Sequence, residues 1–552
     1  MLKIAASFVL SSSKSSTGTR PPHHSAARTD VVLLIRRIVR PRGYASGFDS
    51  PAALLTAILS ILVVSLAVGL TGCASFGTHE ADVKVIYERS AQYHMPDRNP
   101  VIVIPGILGS KLIDRDSRRT VWGAFDRESA DPTTPEDARL ISLPVEGNRP
   151  LNELQDGVEP NGVLDKVHVN LFGIPLDIRA YVGILTTLGA GGYRDEALGL
   201  HAIDYGNDHF TCFQFDYDWR RDNVENAKRL KQFIEGKRAY VQQAYKDRYG
   251  IEKAAVKFDI VAHSMGGLVA RYFLMYGDAD LPAQSEDAVV TWAGADYVDR
   301  LILIGPPNAG SINALTQLLN GFDVGRPILP YFQAALLGTF PALYELLPRP
   351  RHGAIIWNGD ESAPVPNLYD PALWNQLEWG LASREERNVS FLRSVLPHAV
   401  DDEERRRIAK ALQATILQRT KAFHEVMDKQ ARLPSGVEVF LVAGDAAQTP
   451  RRASVDRKTG KLKIIEYGAG DGTVLRSSAL LDERIGGEWR PGLVSPIDWS
   501  SVLFLFSDHL GLTQDNAFAD NVLYWLLEDP RIRTTQGGRR ISRTLGPPKR
   551  LE

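Results

Sequence analysis

The chain has 552 residues, 44% of them hydrophobic and 24% charged, and its formal net charge is −2. These are ordinary proportions for a globular protein, and the length favours one catalytic domain with insertions and a large buried core. The small net charge argues against a general nucleic-acid-binding protein, and two cysteines are too few for a disulfide framework or a cysteine-based zinc site.

An uncharged segment near the start of the sequence contains a lipidation motif. No residue from Pro51 to Gly77 is charged, and the arginines before it fit the positive-inside rule: Arg36, Arg37, Arg40 and Arg42. The segment includes Leu70-Thr71-Gly72-Cys73, which looks like a bacterial lipobox whose cysteine receives the lipid. This pattern predicts a basic region and lipoprotein signal peptide over residues 1–72. The alternative is an uncleaved membrane anchor with an incidental cysteine.

Either interpretation places the globular part outside the cytoplasm and tethers it to a membrane. Residues 73–97 would then be a tether, and Ala74 after the cysteine resembles lipoproteins that are sorted to the outer membrane. We therefore expect a lipoprotein on the periplasmic or cell-surface side, anchored through Cys73. Residues 1–35 make the region before the apolar segment unusually long, which a start codon assigned too far upstream would explain.

Strand and helix patterns alternate over residues 98–311 and return over 435–530. Short apolar runs predict buried strands, and runs with apolar residues at helical spacing predict helices. The predicted strands are 101–104, 213–216, 257–261, 298–304, 437–442 and 463–465, and the predicted helices are 181–188, 225–249, 268–276 and 516–527. This alternation indicates a mostly parallel sheet with helices on both faces. A polar, proline-rich stretch from about 115 to 165 is instead expected to be loops with little regular structure.

A predicted strand, a tight turn and a predicted helix surround Ser264. The turn reads Ala262-His263-Ser264-Met265-Gly266-Gly267. Small residues suit the strained strand-to-helix turn that presents a nucleophilic serine in α/β-hydrolases, and here Ala262 stands for the first glycine of that motif. We therefore predict an α/β-hydrolase fold with Ser264 as nucleophile; the alternative is a plain turn between a strand and a helix.

A serine nucleophile needs a base and an orienting carboxylate, which follow it in the order acid, then histidine, in this fold. His509 is the last histidine and the only one after Asp471, so it is the predicted base. Asp471 lies in a glycine-flanked loop beyond a predicted strand and is the preferred acid, with Asp445 after another strand as its competitor. His263 is next to the nucleophile, where adjacent side chains point apart, so we expect it to pack or to line the pocket.

Two backbone N–H groups are candidates to bind the negative charge of a tetrahedral intermediate. One belongs to Met265, because the residue after the nucleophile usually supplies the first donor. The second should come from a loop after an earlier strand. Pro105–Gly109 suits this role because its glycines allow close approach, and Leu108 is the predicted donor.

The pattern changes over residues 312–434, where helical stretches carry many apolar residues. An insertion at this place in an α/β sheet is commonly a helical cap, and an apolar cap suits a lipid-shaped substrate. The alternative is that these side chains simply pack on the sheet. They include Leu318, Leu319, Ile328, Leu329, Tyr331, Phe332, Leu336, Leu337, Phe340 and Leu343. At the other end, residues 531–552 form a basic tail that is expected to be disordered, with contact to anionic lipid as the alternative.

Six segments occur in the order seen in lecithin:cholesterol acyltransferases and their phospholipase A relatives, and the chain resembles that family over about residues 98–313 and 437–515. The segments are Pro100–Leu112, Tyr217–Arg220, Ala262–Gly266, Gly305–Ser311, Gly470–Val474 and His509. The resemblance implies a catalytic triad of Ser264, Asp471 and His509. It implies an oxyanion hole from Leu108 and Met265, and it places Tyr217, Asp218, Trp219 and Arg220 around the pocket.

The chain departs from that family at two further points. Secreted animal members have a lid pinned by a disulfide, which the single cysteine left after Cys73 cannot form. Pro307-Asn308 also stands where the family often has Pro-Trp. These departures concern the lid and the acceptor rather than the acyl-enzyme chemistry.

Together these inferences predict a membrane-tethered serine enzyme that cleaves an acyl ester of a phospholipid or related lipid. The acyl-enzyme would pass its chain to water or to an alcohol acceptor, with no metal or organic cofactor. One alternative is a catalytically inactive envelope lipoprotein that binds lipid or a protein partner. Another is an esterase or thioesterase that acts on small soluble esters.

Overall fold

The computed structural model describes residues 82–541, apart from 126–127, 148, 165, 172–173, 180, 324–330, 366, 532 and 535–539. The predicted signal peptide, Cys73 and residues 74–81 of the predicted tether lie outside the described residues, as does the chain beyond residue 541. Of the helices that the structure describes, none combines the length and the apolar character needed to cross a bilayer.

Six parallel strands form the central sheet, and their sequences are apolar because both faces of the sheet are covered. They are β1 (Val101–Ile104), β2 (Cys212–Gln214), β3 (Phe258–His263), β4 (Val298–Ile304), β5 (Glu438–Gly444) and β6 (Ser501–Leu505). Their spatial order is β6-β5-β4-β3-β1-β2. The chain leaves β1 toward β2 and leaves β3 toward β4, so the direction of winding reverses between β1 and β3.

Alternate residues of each strand point to opposite faces of the sheet, and each face meets its own helices. Ile102 and Ile104 belong to the larger hydrophobic core, and Val101 and Val103 to the smaller one. The larger core also includes α1 (Asn223–Tyr249), α2 (Met265–Tyr276) and α3 (Asp402–Met427), and the smaller one includes Val182–Ala190 and α4 (Asn516–Leu523). This arrangement confirms the predicted α/β-hydrolase fold.

Local capping sets the ends of the longest helix. The Asp222 carboxylate accepts the Val224 N–H, which satisfies one of the free donors at the start of α1. Gly250 ends the helix with φ of 68°, a left-handed conformation that glycine adopts without steric cost.

The remaining helices are short. The α-helices are Val83–Ile86, Glu88–Ala91, Pro135–Ile141, Glu196–His201, Ile312–Asn320, Ala334–Leu337, Pro341–Tyr344, Pro371–Gln376, Glu386–Val395 and Arg476–Leu480. The 3-10 helices are Leu151–Glu153, Ser285–Asp287, Ala293–Asp296, Pro350–His352, Gly380–Ala382 and Gly511–Gln514, and Tyr524–Glu528 is a π-helical turn that continues α4.

The stretch from 115 to 165 is more regular than the expected loops. Thr120–Trp122 and Val158–Val163 pair antiparallel with Ser110–Asp114 in a three-stranded sheet. A second small sheet is formed by Ala124–Phe125, Lys166–Leu171 and Ile174–Arg179. The prediction was wrong here because these strands are short and are separated by proline-rich turns, so they show little periodicity.

The insertion over 312–434 is helical over much of its length, as expected, but the cap also includes a sheet and extends beyond the predicted boundary. The insertion contains a mixed four-stranded sheet in the order Asp360–Pro364, Ile355–Trp357, Ala447–Val455, Leu462–Gly470. Half of this sheet is a hairpin inserted between β5 and β6, beyond the predicted boundary. Exposed and partly buried residues alternate along Leu462–Gly470, as in an antiparallel strand with one solvated face rather than a buried parallel strand. A further short pair joins Phe322–Asp323 to Tyr331–Phe332.

The apolar side chains of the cap are largely core residues rather than an exposed lipid-binding face. Six of the ten are at most 7% exposed and belong to the larger hydrophobic core: Leu318, Phe332, Leu336, Leu337, Phe340 and Leu343. Ile328 and Leu329 lie outside the described residues. These six side chains therefore belong to the same core as one face of the central sheet, in line with the alternative that they pack on the sheet.

The predicted tail starts too early. Arg531 donates to both carboxylate oxygens of Asp259 at 2.9 and 2.5 Å, and Asp259 is fully buried in β3. Arg533–Thr534 and Arg540–Ile541 then pair antiparallel. Held by a buried ion pair, Arg531 is part of the folded domain and not of a free tail.

Candidate active site

The candidate site lies at the carboxyl ends of β1 and β3, where the winding of the sheet reverses. Open parallel sheets bind ligands at this crevice, because the loops after the two strands turn away from each other. Pro105–Gly109 follows β1 and Ser264 follows β3. The topology therefore brings the predicted oxyanion loop against the predicted nucleophile.

Ser264 occupies a strained turn between β3 and α2. Its φ of 54° and ψ of −127° are rare for a residue with a side chain. Its N–H donates to the Ile304 carbonyl at 2.8 Å. Two glycines, one in the loop after β1 and one at the start of α2, leave room for this turn. A β-carbon on Gly106 would lie 2.7 Å from the Ser264 β-carbon, and one on Gly266 would lie 2.2 Å from the Pro105 carbonyl oxygen.

Three predicted residues are hydrogen-bonded in series, although they are far apart in sequence. His509 follows β6, and its Nε2 lies 2.9 Å from the Ser264 hydroxyl. Its Nδ1 lies 2.7 Å from Asp471 Oδ2. The structure thus brings together the nucleophile, base and acid that the sequence picked out.

The surroundings of Asp471 keep it ionised and fix the His509 tautomer. Burial of Asp471 opposes ionisation, but the His509 ring and the N–H groups of Val474 and Thr473 outweigh it, so the pKa of this carboxyl is lowered. Those N–H groups donate to Oδ1 at 2.7 and 2.9 Å, which leaves Oδ2 for His509. The Nδ1–H of His509 therefore donates to a carboxylate, and Nε2 is free to accept the serine proton.

The competing acid, Asp445, does not reach the histidine. It directly follows β5, but its carboxylate lies 3.7 Å from the Arg476 guanidinium. Asp471 instead occupies the end of β5, since a β-carbon on Gly444 would lie 2.7 Å from the Asp471 β-carbon. The inserted hairpin separates the two aspartates in sequence and returns the chain to the same place, because Ala447 pairs with Asp471.

Hydrogen bonds with neighbouring side chains hold the oxyanion loop, residues 105–109, in place. Leu108 has φ of 63°, and its carbonyl accepts the Trp122 indole N–H at 2.8 Å. The Tyr217 hydroxyl donates to the Pro105 carbonyl at 2.9 Å, and the Gly106 N–H donates to the Tyr181 hydroxyl at 2.8 Å. Within the part of the chain that the structure describes, the N–H groups of Leu108 and Met265 have no protein acceptor. Both donors are therefore free for a ligand.

The Tyr217-Asp218-Trp219-Arg220 segment supports this loop and does not line a pocket. All four side chains are at most 2% exposed. The Trp219 indole donates to the Ser110 carbonyl at 3.1 Å, and Asp218 pairs with Arg220 at 2.7 Å. The expected lining role is corrected, because a buried ion pair and two satisfied ring donors leave nothing that faces a substrate.

His263 packs beside the site instead of lining it. Its side chain is 1% exposed, and burial, with the neighbouring His509 ring, lowers its pKa to about 3. Its ring nitrogens contact Tyr181 and the His509 backbone. Sequence reasoning missed Tyr181 altogether, because its partners are 75 and 82 positions away and no local motif marks it.

No group of three or more His, Cys, Asp or Glu side chains among the described residues is arranged to hold a metal ion. What the site does contain is a serine hydroxyl, a histidine base, a buried carboxylate and two free N–H groups. This set can transfer an acyl group through a covalent intermediate.

The model of the lecithin:cholesterol acyltransferase family matches residues 195–469. The chain belongs to this family. The matched range contains Ser264 and ends just before Asp471. The protein is also similar to the lecithin-cholesterol acyltransferase-like 4 protein of Arabidopsis thaliana, with 23% identity over 300 residues, 49% of this chain and 46% of that one. The chain therefore spans about half the length of this curated relative.

Solved structures resemble this family member more distantly. One chain of the Tle4–Tli4 complex is 15% identical with a TM-score of 0.44, over 78% of this chain and 98% of that one. Lipase 1 from Pelosinus fermentans is 11% identical with a TM-score of 0.28, over 78% and 99% of the two chains. The Bacillus licheniformis lipase BlEst2 in its propeptide form is 12% identical with a TM-score of 0.26, over 81% and 54%.

Proposed function

We propose that this protein is a Ser264-dependent lipid acyl hydrolase or O-acyltransferase that acts on acyl esters of phospholipids or related lipids. The observation that carries the proposal is the hydrogen-bonded series Ser264–His509–Asp471, at 2.9 and 2.7 Å, beside two uncommitted N–H donors. Membership of an acyltransferase family supports the same chemical class.

The reaction begins when the Ser264 hydroxyl oxygen attacks the ester carbonyl carbon and its proton passes to His509 Nε2. The carbonyl oxygen becomes an oxyanion, which accepts hydrogen bonds from the Leu108 and Met265 N–H groups. Loss of one such donor typically costs about 3–4 kcal/mol of transition-state stabilisation. Asp471 stays ionised and holds the imidazolium in place.

Collapse of the intermediate breaks the ester bond. The leaving alcohol takes the proton from His509, and the acyl group remains on Ser264. Water or a second alcohol then attacks the acyl-enzyme, giving its proton to His509, and the fatty acid or a new ester leaves as the serine regains its hydrogen. The acceptor alone decides between a hydrolase and a transferase.

The predicted lipidation motif supports a place of action at a membrane. A lipidated Cys73 would tether the domain to a membrane on the exported side, next to a surface made of acyl esters. The substrate would be a membrane lipid, and the second substrate, where there is one, a long-chain alcohol or a sterol.

The experiment uses the full-length protein in mild detergent, added to phospholipid vesicles with and without a long-chain alcohol or sterol. Free fatty acid and newly formed ester are measured together. Ser264→Ala should abolish both products, whereas Ser454→Ala, which removes a buried hydroxyl from the cap sheet, should change neither.

Ser264-dependent new ester would make the protein a transferase, and free acid alone would make it a lipase. Turnover of short soluble esters but not of vesicles would favour the small-ester esterase. Vesicle binding without turnover, equal in wild type and Ser264→Ala, would contradict the proposal and favour an inactive lipid-binding lipoprotein.

A further inference from the structure

A buried chain of hydrogen bonds passes behind the candidate site. The Gly106 N–H lies 2.8 Å from the Tyr181 hydroxyl oxygen, and that oxygen lies 3.1 Å from His263 Nδ1. His263 Nε2 lies 3.0 Å from the backbone carbonyl oxygen of His509. The chain therefore connects the oxyanion loop to the histidine loop through the residue next to the nucleophile.

With a neutral His263 ring, only one arrangement of protons satisfies all three contacts. The His509 carbonyl can only accept, so His263 Nε2 must carry the proton and Nδ1 must be an acceptor. The Tyr181 O–H then donates to Nδ1, while its oxygen accepts the Gly106 N–H. Each donor meets one acceptor, so the direction of the chain is fixed.

Because Tyr181 and His263 are buried, water cannot replace these hydrogen bonds. Tyr181 is 3% exposed and His263 is 1% exposed. Burial also raises the pKa of the Tyr181 hydroxyl and lowers that of the His263 ring to about 3. Both groups are therefore neutral at ordinary pH, and the chain keeps its direction.

Each end of the chain of hydrogen bonds lies in a loop that carries a group of the proposed reaction. His509 lies in a loop whose neighbours Phe506 and Leu510 are 86% and 39% exposed. Its backbone is held by Asp471, whose carbonyl accepts the His509 N–H at 3.0 Å, and by His263 on the other side. At the opposite end, Gly106 touches Ser264. The chain of hydrogen bonds therefore links the backbone of the proposed base to the loop that carries the Leu108 donor.

We propose that His263 and Tyr181 are positioning residues that fix the His509 loop relative to the oxyanion loop. This inference rests on the proposed acyl-transfer function. Neither residue reacts; each acts by keeping the imidazole and the Leu108 donor at the separation that the tetrahedral intermediate requires. A displacement of about 1 Å in such a site can lower the rate about 100-fold.

The test compares Tyr181→Phe, His263→Leu and His263→Gln with a matched control, Tyr276→Phe. Tyr276 also has a buried hydroxyl, which donates to the Val426 carbonyl away from the site. For each protein, kcat and KM are measured separately on a short-chain p-nitrophenyl ester, together with the melting temperature and the rate at which a fluorophosphonate labels Ser264.

Tyr181→Phe and His263→Leu should lower kcat and the labelling rate about 10- to 100-fold and leave KM within about 2-fold, because the substrate does not touch them. His263→Gln should recover most of the loss, since its amide can still donate to the His509 carbonyl. Tyr276→Phe should lower the melting temperature without lowering kcat. The ¹⁵N spectrum of His263 should show a protonated Nε2 in the wild type, and the Nδ1 resonance should shift in Tyr181→Phe, because this nitrogen loses the hydrogen bond that the Tyr181 hydroxyl donates.

Wild-type kcat in a folded Tyr181→Phe, with turnover still dependent on Ser264, would overturn this inference and leave the proposed function intact. A wild type without Ser264-dependent turnover would remove both. Should His263→Leu fail to fold, the Tyr181→Phe and Tyr276→Phe pair decides the question, because each removes one oxygen from a buried ring.

Discussion

The loops that carry the candidate site and the inserted cap are held together in different ways. Around Ser264, directed hydrogen bonds fix a strained backbone, with positive φ at both Leu108 and Ser264. In the cap, large apolar side chains such as Leu412 and Trp374 are fully buried. Directed bonds fail when one atom is changed, whereas packing loses strength in proportion to the volume removed. Substitutions around Ser264 should therefore lower activity more than stability, and substitutions in the cap should lower stability more than activity.

Apart from loss of the nucleophile itself, the largest loss is expected from Asp471→Asn, which should lower kcat about 10⁴-fold. An amide in place of the carboxylate favours the wrong His509 tautomer and no longer stabilises the imidazolium, an effect of about this size in the serine protease triad. Steady-state kinetics on a soluble ester measure it. Asp445→Asn is the matched control, because this aspartate directly follows β5 yet does not contact His509, and its kcat should stay within a few-fold of wild type. A large loss of kcat in Asp445→Asn instead would identify Asp445 as the acid.

Gly106→Ala should lower kcat about 100-fold while the protein still folds. The added β-carbon would lie 2.7 Å from that of Ser264, so either the oxyanion loop or the nucleophile must move. Gly236→Ala in α1 is the control, because its β-carbon meets nothing within 4 Å and alanine favours the helix. Equal kcat in the two variants would show that the oxyanion loop tolerates displacement. The site would then be no more sensitive to a small change than the cap is.

In the cap, Leu412→Ala should lower the free energy of unfolding by about 2–5 kcal/mol. This side chain is fully buried in α3. The kcat per folded molecule should remain within about 3-fold of wild type, since no bond of the candidate site is changed. Urea titration and active-site labelling measure the two quantities. Val400→Ala, at a position 88% exposed, should change stability by less than about 0.5 kcal/mol.

The same distinction explains what could be read from the sequence. The elbow at Ser264 follows from local residue sizes between a strand and a helix, and the alternating pattern was enough to predict the fold class. The acid remained open between Asp445 and Asp471, because both follow strand-like runs and only the hairpin's return distinguishes them. Tyr181 carried no signal, and the burial of Trp219 could not be told from a pocket position, since contacts between distant segments decide both.

Acid should also weaken the protein through two histidines that lie outside the site and the cap, and their contribution should be the smallest effect. Burial, reinforced by the Arg194 cation, lowers the pKa of His94 and of His209 to about 4. In the unfolded chain a histidine titrates near 6.5. Between these values the unfolded state binds more protons than the folded one, by up to one per histidine, so stability must fall as the pH drops.

We therefore expect the free energy of unfolding to decrease from about pH 6.5 to about pH 4 and this contribution to level off below pH 4, where both states are protonated. His209→Gln removes one of these titrating groups and should flatten the slope by up to one proton in urea titrations across this range. An unchanged slope would mean that the His209 ring, packed edge-on against Tyr245 and Tyr249, accepts a proton without penalty. The difference in stability between the loops of the candidate site and the cap would then have to be measured with substitutions alone.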